Sequence, residues 1–330
     1  MDRYLDKLES TLAGCQDKCE TIYIGGGTPT LFDPDRLKRF TGLIYDRLQP
    51  DGDTEISIEA NPETLDECKV AFLREHYTRL SMGIQSFDPE SRSRIGRRCS
   101  QEKLLEAVKL VQEAKFPHWN CDLIYSLPGQ TRKMWENDLH TAASLGVDHV
   151  SCYALTPEEN SALGAEFTGD DERESEFYHL AQEILAQYGI ARYEISNYAR
   201  SGCECRHNMN VWRGGLLRGF GPSAAGFDGV SRMIEVESLD SWLDDFPPEE
   251  DNIPHDARLN EIFAVNLRTV TGWTPQTWAK VPGCDSWENR RKIAENLQKM
   301  FPEHLLNEQS RITLTETGLL FWNMIAQELF

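Results

Sequence analysis

Three consecutive glycines, Gly25, Gly26 and Gly27, followed by Thr28 and Pro29, close a short apolar run that ends at Ile24. Without Cβ atoms, such a segment lets a ligand reach backbone amide and carbonyl groups directly. No Lys-Ser or Lys-Thr pair follows at the required spacing, so this is not a P-loop. A tight turn is the alternative reading. Glu59, ahead of Ala60, Asn61 and Pro62, sets a carboxylate at the end of a second apolar run, where it suits a ribose diol or an ammonium group; a solvated loop acid has the same pattern. Gln85, followed by Ser86, Phe87 and Asp88, adds an amide. Asp122 interrupts an otherwise apolar run ending in Leu123, Ile124 and Tyr125. Acids are seldom buried unpaired, so Asp122 needs a partner, either an arginine such as Arg97 or a ligand. Cys203, Cys205 and His207 form a further candidate metal cluster, but no fourth ligand is near them in sequence.

These residues share one position relative to the elements around them. Short apolar runs at 21–24, 55–58, 80–84, 121–125, 149–153 and 193–195 read as strands, and amphipathic stretches lie between them. Leu37, Phe40, Ile44 and Leu48 follow helical spacing, as do Leu104, Val108 and Val111, and Phe177, Leu180, Ile184, Leu185 and Tyr188. Alternation of this kind gives an α/β protein with a parallel sheet, and ligands of such sheets sit at the carboxyl ends of the strands. Gly25, Glu59 and Gln85 all follow strands directly. We expect a barrel over residues 1–200, a glycine-rich and acidic connecting segment over 201–254, and a small helical domain over 255–330, with a hairpin strand at 311–315 entering a final helix at 319–329.

Composition narrows the function classes. With 34 basic and 54 acidic side chains in 330 residues, the formal charge of −20 disfavours nucleic acid and anionic membranes, which attract clustered positive charge. No run reaches the roughly 18 apolar residues of a spanning helix, and the first residues lack a signal-peptide core. The expected location is therefore the cytoplasm, and the nine cysteines are expected to be reduced thiols.

The runs IYIGGGTPT (22–30), EANP (59–62), RLSMGIQSFD (79–88), IGR (95–97), DLIYSLPGQT (122–131), YEISN (193–197) and HNMNVW (207–212) occur in this order along nearly the whole chain. As a set they resemble the coproporphyrinogen III oxidase-like branch of the radical S-adenosylmethionine (SAM) superfamily, and within it the HemW-type haem chaperones. The resemblance implies an incomplete (β/α)6 barrel with S-adenosylmethionine across the strand ends, followed by a small winged-helix-like domain. Carried over by position, Gly26, Gly27 and Thr28 would hold the methionine moiety. Glu59, Gln85, Arg97 and Asp122 would contact the nucleotide or a second cofactor molecule, and His207 would meet haem. The implied function is that of a haem-chaperone-like protein that binds haem and delivers it to an acceptor protein. Two alternatives stay open: an oxygen-independent coproporphyrinogen III oxidase, which decarboxylates two propionates by radical hydrogen abstraction, and a non-catalytic relic. The resemblance does not decide whether the chain is an enzyme, and it points to no catalytic residue.

The resemblance breaks at one place. Members of the superfamily hold a 4Fe-4S cluster through a Cys-x3-Cys-x2-Cys loop, leaving one iron open to the cofactor. Here Cys15 and Cys19 are followed at the third position by Ile22, which is no ligand. Residues 1–12 resemble the helix that follows the cluster loop, so the first strand and the cluster cysteines are expected to be absent. A strand beginning at Thr21 would then form an open edge or be covered by a partner. Smaller departures are Cys99 for histidine, Val211 for tyrosine and Ala225 for histidine.

Overall fold

The computed structural model describes residues 1–15, 18–156 and 169–330. They divide into two compact units, one comprising 19–41 and 50–204, the other 1–18, 42–49 and 205–330.

The first unit is built on a seven-stranded sheet. Its strands are β1 (Thr21–Ile24), β2 (Glu55–Ala60), β3 (Arg79–Gln85), β4 (His118–Tyr125), β5 (His149–Ala154), β6 (Ala191–Arg192) and β7 (Asn197–Ala199), in the order β1-β2-β3-β4-β5-β7-β6. Strands β1 to β5 run parallel in sequence order, as the alternating pattern predicts. Strand β1 ends the sheet, with β2 as its strand partner among the described residues. The expected strand at 193–195 does not form. Instead β6 and β7 make a short antiparallel pair around that segment, and β7 runs antiparallel to β5. Strands of two and three residues are too short for a period-2 signal to set their direction.

The helices, in chain order, are α1 (Asp2–Leu12), α2 (Pro34–Leu48), α3 (Glu67–His76), α4 (Pro89–Arg94), α5 (Gln101–Ala114), α6 (Arg132–Ser144) and α7 (Asp171–Gln187). The division between the units passes through α2. The helices start where side-chain oxygens take up free backbone N–H groups: Asp66 caps α3, Asp88 caps α4, Ser100 caps α5 and Thr131 caps α6. Their apolar stripes are buried, with Leu104, Val108 and Val111 in α5 and Phe177, Leu180, Ile184 and Leu185 in α7 almost fully enclosed.

Strand register sorts the sheet into two faces. Ile22, Ile24, Ile56, Ile58, Leu80, Met82, Cys121, Leu123, Val150 and Cys152 alternate with polar residues and are buried. The intervening positions align Tyr23 with Ser57, Glu59 with Ser81, Ser81 with Asn120, Asn120 with His149, and Asp122 with Ser151. One face is thus hydrocarbon and the other is a polar surface. A parallel sheet covered by apolar contacts on both sides would show no such alternation.

The second unit continues with α8 (Arg206–Trp212), a three-stranded antiparallel sheet of β8 (Ala225–Phe227), β9 (Ser231–Ile234) and β10 (Glu249–Asn252), and α9 (Leu239–Leu243). The acidic run at 249–252 is therefore an exposed edge strand paired to β9. Helices α10 (His255–Asn266), α11 (Pro275–Trp278) and α12 (Trp287–Met300) follow, then the hairpin β11 (Leu305–Asn307) and β12 (Ile312–Leu314). Trp273, Trp278 and Phe263 form its buried centre, with the two indoles edge-on at 5.0 Å and the Trp273 Nε1–H donating to the Phe263 carbonyl at 2.9 Å. The expected final helix is split at Phe321 into α13 (Glu316–Leu320) and α14 (Trp322–Gln327). In unit two the first helix also takes its place. Leu5, Leu8 and Leu12 are buried, Tyr4 meets the Trp242 ring at 5.3 Å, and Arg3 pairs with Asp244 at 3.1 Å.

Candidate functional site

The glycine exit from β1 is shaped by what surrounds it. A Cβ on Gly25 would stand 2.7 Å from Glu59 Oε1 and 2.7 Å from Tyr23 Cε1, whereas one on Gly26 or Gly27 would meet nothing within 4 Å. Gly25 therefore admits the Glu59 carboxylate, and Gly26 and Gly27 leave open backbone beyond it. Gly26 adopts φ +98°, which requires glycine. Thr28 follows, half-buried, at the start of the short 3-10 turn Pro29–Leu31. The Tyr23 hydroxyl donates to Glu59 Oε1 at 2.8 Å and the Gly26 amide also reaches this carboxylate. Burial, with Asp122 adding to it, raises the Glu59 pKa against those hydrogen bonds.

Of the two partners expected for Asp122, an arginine such as Arg97 or a ligand, the arginine is replaced among the described residues by neutral groups. Ser81 Oγ donates to one carboxylate oxygen at 2.8 Å and Asn120 Nδ2 to the other at 2.7 Å. The reason is register: β3 and β5 set small polar side chains beside β4. Burial raises the Asp122 pKa, opposed by Ser81, Ser151 and Asn120. The network continues through Asn120 Oδ1 to His149 Nδ1 at 2.7 Å, and from His149 Nε2 to the Tyr193 hydroxyl at 2.8 Å. Burial, with Arg79 and His118 adding to it, pushes the His149 pKa down and keeps the imidazole neutral. Ser81, Asn120, His149 and Tyr193 escaped the sequence reading, although Asn120 and Asp122, two apart in an apolar strand, carried the signal.

Gln85 ends β3 in the left-handed region at φ +65°, where the pairing to β4 slips by one residue. Its side chain lies over Gly83, and among the described residues its buried Oε1 has no hydrogen-bond partner. A recess beside it is lined by Asn61, Gly83, Gln85, Arg92, Arg97 and Cys99. Arg97 is exposed at its rim. A third acid, without a signal at a strand end, holds this corner. Asp138 on α6 accepts from Ser86 Oγ at 2.7 Å and from the Phe87 amide at 2.7 Å, immediately after Gln85. Its signal was an acid in the buried stripe Trp135, Asp138, Leu139, Ala142.

Glu59, Asp122 and the glycine rim thus lie together, with Gln85 and Arg97 on the adjoining recess. His207 belongs to the other unit, half-buried in the first turn of α8. At the far end of α8, the Arg268 guanidinium stacks 4.0 Å from the Trp212 ring and 5.3 Å from that of Trp322. Of the alternative metal trio Cys203, Cys205 and His207, the first lies in one unit and the other two in the other. Cys205 is buried, and Cys203 lies instead beside His118 and Asp148.

Residues 2–142 match the Radical SAM superfamily. The chain is 30% identical to the heme chaperone HemW of Bacillus subtilis, over 98% of this chain and 90% of that protein. The chain belongs to the HemW heme-chaperone family of the radical SAM superfamily. A HemW of Synechocystis is 29% identical over 99% of the chain and 87% of its own length. Among solved structures, the coproporphyrinogen III oxidase HemN of Escherichia coli superposes with a TM-score of 0.83 over 99% of this chain and 82% of its own, at 20% identity, which establishes the shared fold.

The superfamily's two groups fit this HemW relative differently. The open Gly26–Gly27 backbone, the Glu59 and Asp122 carboxyls and, among the described residues, the unpaired Gln85 oxygen suit the amino group, ribose hydroxyls and adenine amine of S-adenosylmethionine. Among the described residues, the cysteines nearest that rim in sequence have other surroundings. Cys15 is buried at the end of α1, with Arg218 Nη1 3.8 Å from its sulfur, and the carbonyl of Cys19 accepts from Thr54. Among the described residues no three cysteines converge. Gln16 and Asp17, between those two cysteines, lie outside the described residues. No described helix is long and apolar enough to cross a membrane.

Proposed function

We propose that this chain binds haem and passes it to an acceptor protein in the cytoplasm, while S-adenosylmethionine occupies the strand-end rim. The observation that carries the reading is the 30% identity to a heme chaperone across 98% of the chain and 90% of that protein. The rim supports the second part. In this reading Gly26, Gly27 and Thr28 hold the methionine end of the cofactor, and Glu59, Gln85, Arg97 and Asp122 face its nucleotide end or a second cofactor molecule. His207 supplies the imidazole for haem. Residues 1–200 act as the barrel, 201–254 as the connecting segment and 255–330 as the helical domain. Because these 330 residues contain no Cys-x3-Cys-x2-Cys run, haem binding is proposed to need no cluster in this chain.

Haem titration into the full chain tests this. A Soret shift is expected, and His207→Ala weakens the affinity by about tenfold or more, about 1.4 kcal/mol. An unaltered titration in the variant removes His207 from the site, and the absence of any Soret shift in the parent chain removes haem itself.

A further inference from the structure

At the amino-terminal ends of the strands, opposite the glycine rim, three side chains of different chemistry meet. His118 opens β4, Asp148 directly precedes β5, and Cys203 follows β7. The register explains the meeting. Parallel pairing sets Asn120 beside His149, so the residues just before them start at the same end of the sheet. Antiparallel pairing of His149 with Ala199 brings the chain leaving β7 back to that end. The histidine nitrogen, carboxylate oxygen and sulfur all lie within 4.8 Å of one another.

The three donors are held from behind. Asp148 Oδ2 is 2.6 Å from His118 Nδ1, and its other oxygen accepts the Trp119 amide at 3.1 Å. The Arg200 amide donates to the Asp148 carbonyl at 2.8 Å, and the Arg79 guanidinium to the Cys203 carbonyl at 2.7 Å. Arg79 is itself paired with Glu55 at 3.4 Å, so its charge is offset. All three donor residues are half-buried, which leaves an entry path from solvent.

We propose that His118, Asp148 and Cys203 form a binding site for a divalent transition-metal ion of the zinc class, with water completing a tetrahedral shell. Magnesium and calcium select oxygen donors, whereas a mixed nitrogen, oxygen and sulfur set suits zinc. Three protein ligands and one water are a common zinc arrangement, and donors around it stand about 3.3 Å apart, so the His118–Asp148 pair opens by about 0.7 Å. Burial, with the Asp148 carboxylate adding to it, holds the Cys203 thiol protonated in the metal-free chain. Binding therefore breaks the S–H bond, forms a sulfur–metal bond and releases the proton to solvent. The ion would tie the starts of β4 and β5 to the segment leaving β7. The site stands independently of the haem and S-adenosylmethionine reading, since none of its residues belongs to that rim.

Cobalt(II) is the probe, added to the reduced, metal-free full chain. One equivalent is expected to give tetrahedral visible absorption with a thiolate-to-cobalt charge-transfer band, both removed by one equivalent of zinc. Cys203→Ser should lose the charge-transfer band and weaken zinc binding by at least about tenfold. His118→Asn should keep the band but shift it and weaken binding, which serves as the test should Cys203→Ser fail to fold. No charge-transfer band in the parent chain, or an undiminished band in Cys203→Ser or an unmoved one in His118→Asn, overturns the proposal.

Discussion

Gly25 and Gly27 stand two residues apart on one rim and have opposite relations to space. A methyl on Gly25 collides with Glu59 and Tyr23, the pair joined by a hydrogen bond. Gly25→Ala is therefore expected to destabilise the barrel by about 1–3 kcal/mol, as overpacking does. A methyl on Gly27 meets open space. Gly27→Ala should leave stability within about 0.5 kcal/mol, yet occupy the volume assigned to the cofactor's methionine end and weaken S-adenosylmethionine by about tenfold. Denaturant midpoints and calorimetric titration separate the two effects; wild-type cofactor affinity in Gly27→Ala would remove these glycines from the site.

One element edge, the exit of β3, depends on a helix that is distant in sequence. Gln85 is held at a positive φ, a conformation that costs a non-glycine residue roughly 1–2 kcal/mol. Asp138 on α6 clamps the next two residues. Its carboxyl is pushed from 3.8 up to about 6, chiefly by burial. Between those values the folded chain keeps a proton that the unfolded chain has lost. Stability therefore falls as pH rises through about 4 to 6 and then levels off, with a total loss of up to about 3 kcal/mol. Asp138→Asn keeps the amide contact to Phe87 and should flatten that fall. Urea midpoints at pH 4 and pH 7 measure it, and an unchanged difference between them would show that other acids, Glu59 and Asp122 among them, set the slope. The same edge marks how much was legible in sequence. Gly25, Glu59 and Asp122 were readable because each broke an apolar run at a strand, and the parallel order of β1 to β5 followed from helices alternating with strands. The left-handed Gln85, the serine and asparagine partners of Asp122, and the antiparallel turn of β7 were not, since each depends on which strand lies alongside.

Across the whole molecule, one compact unit is assembled from both ends of the described chain. Leu5 is fully buried in it, and Tyr4 and Lys7 cover the Trp242 ring. Leu5→Ala is expected to cost about 2–5 kcal/mol and to lower amide-exchange protection at 239–243, the helix that carries Trp242. Full protection there would mean that α1 adds nothing to that unit. The arrangement also has a consequence in time. Asp244 is made 241 residues after its partner Arg3. At about 5–20 residues per second, synthesis leaves α1 without its Trp242 and Asp244 contacts for roughly 10 to 50 seconds. For that interval every newborn copy carries Tyr4 and Lys7 without the Trp242 ring that they cover, so this unit closes only late in synthesis.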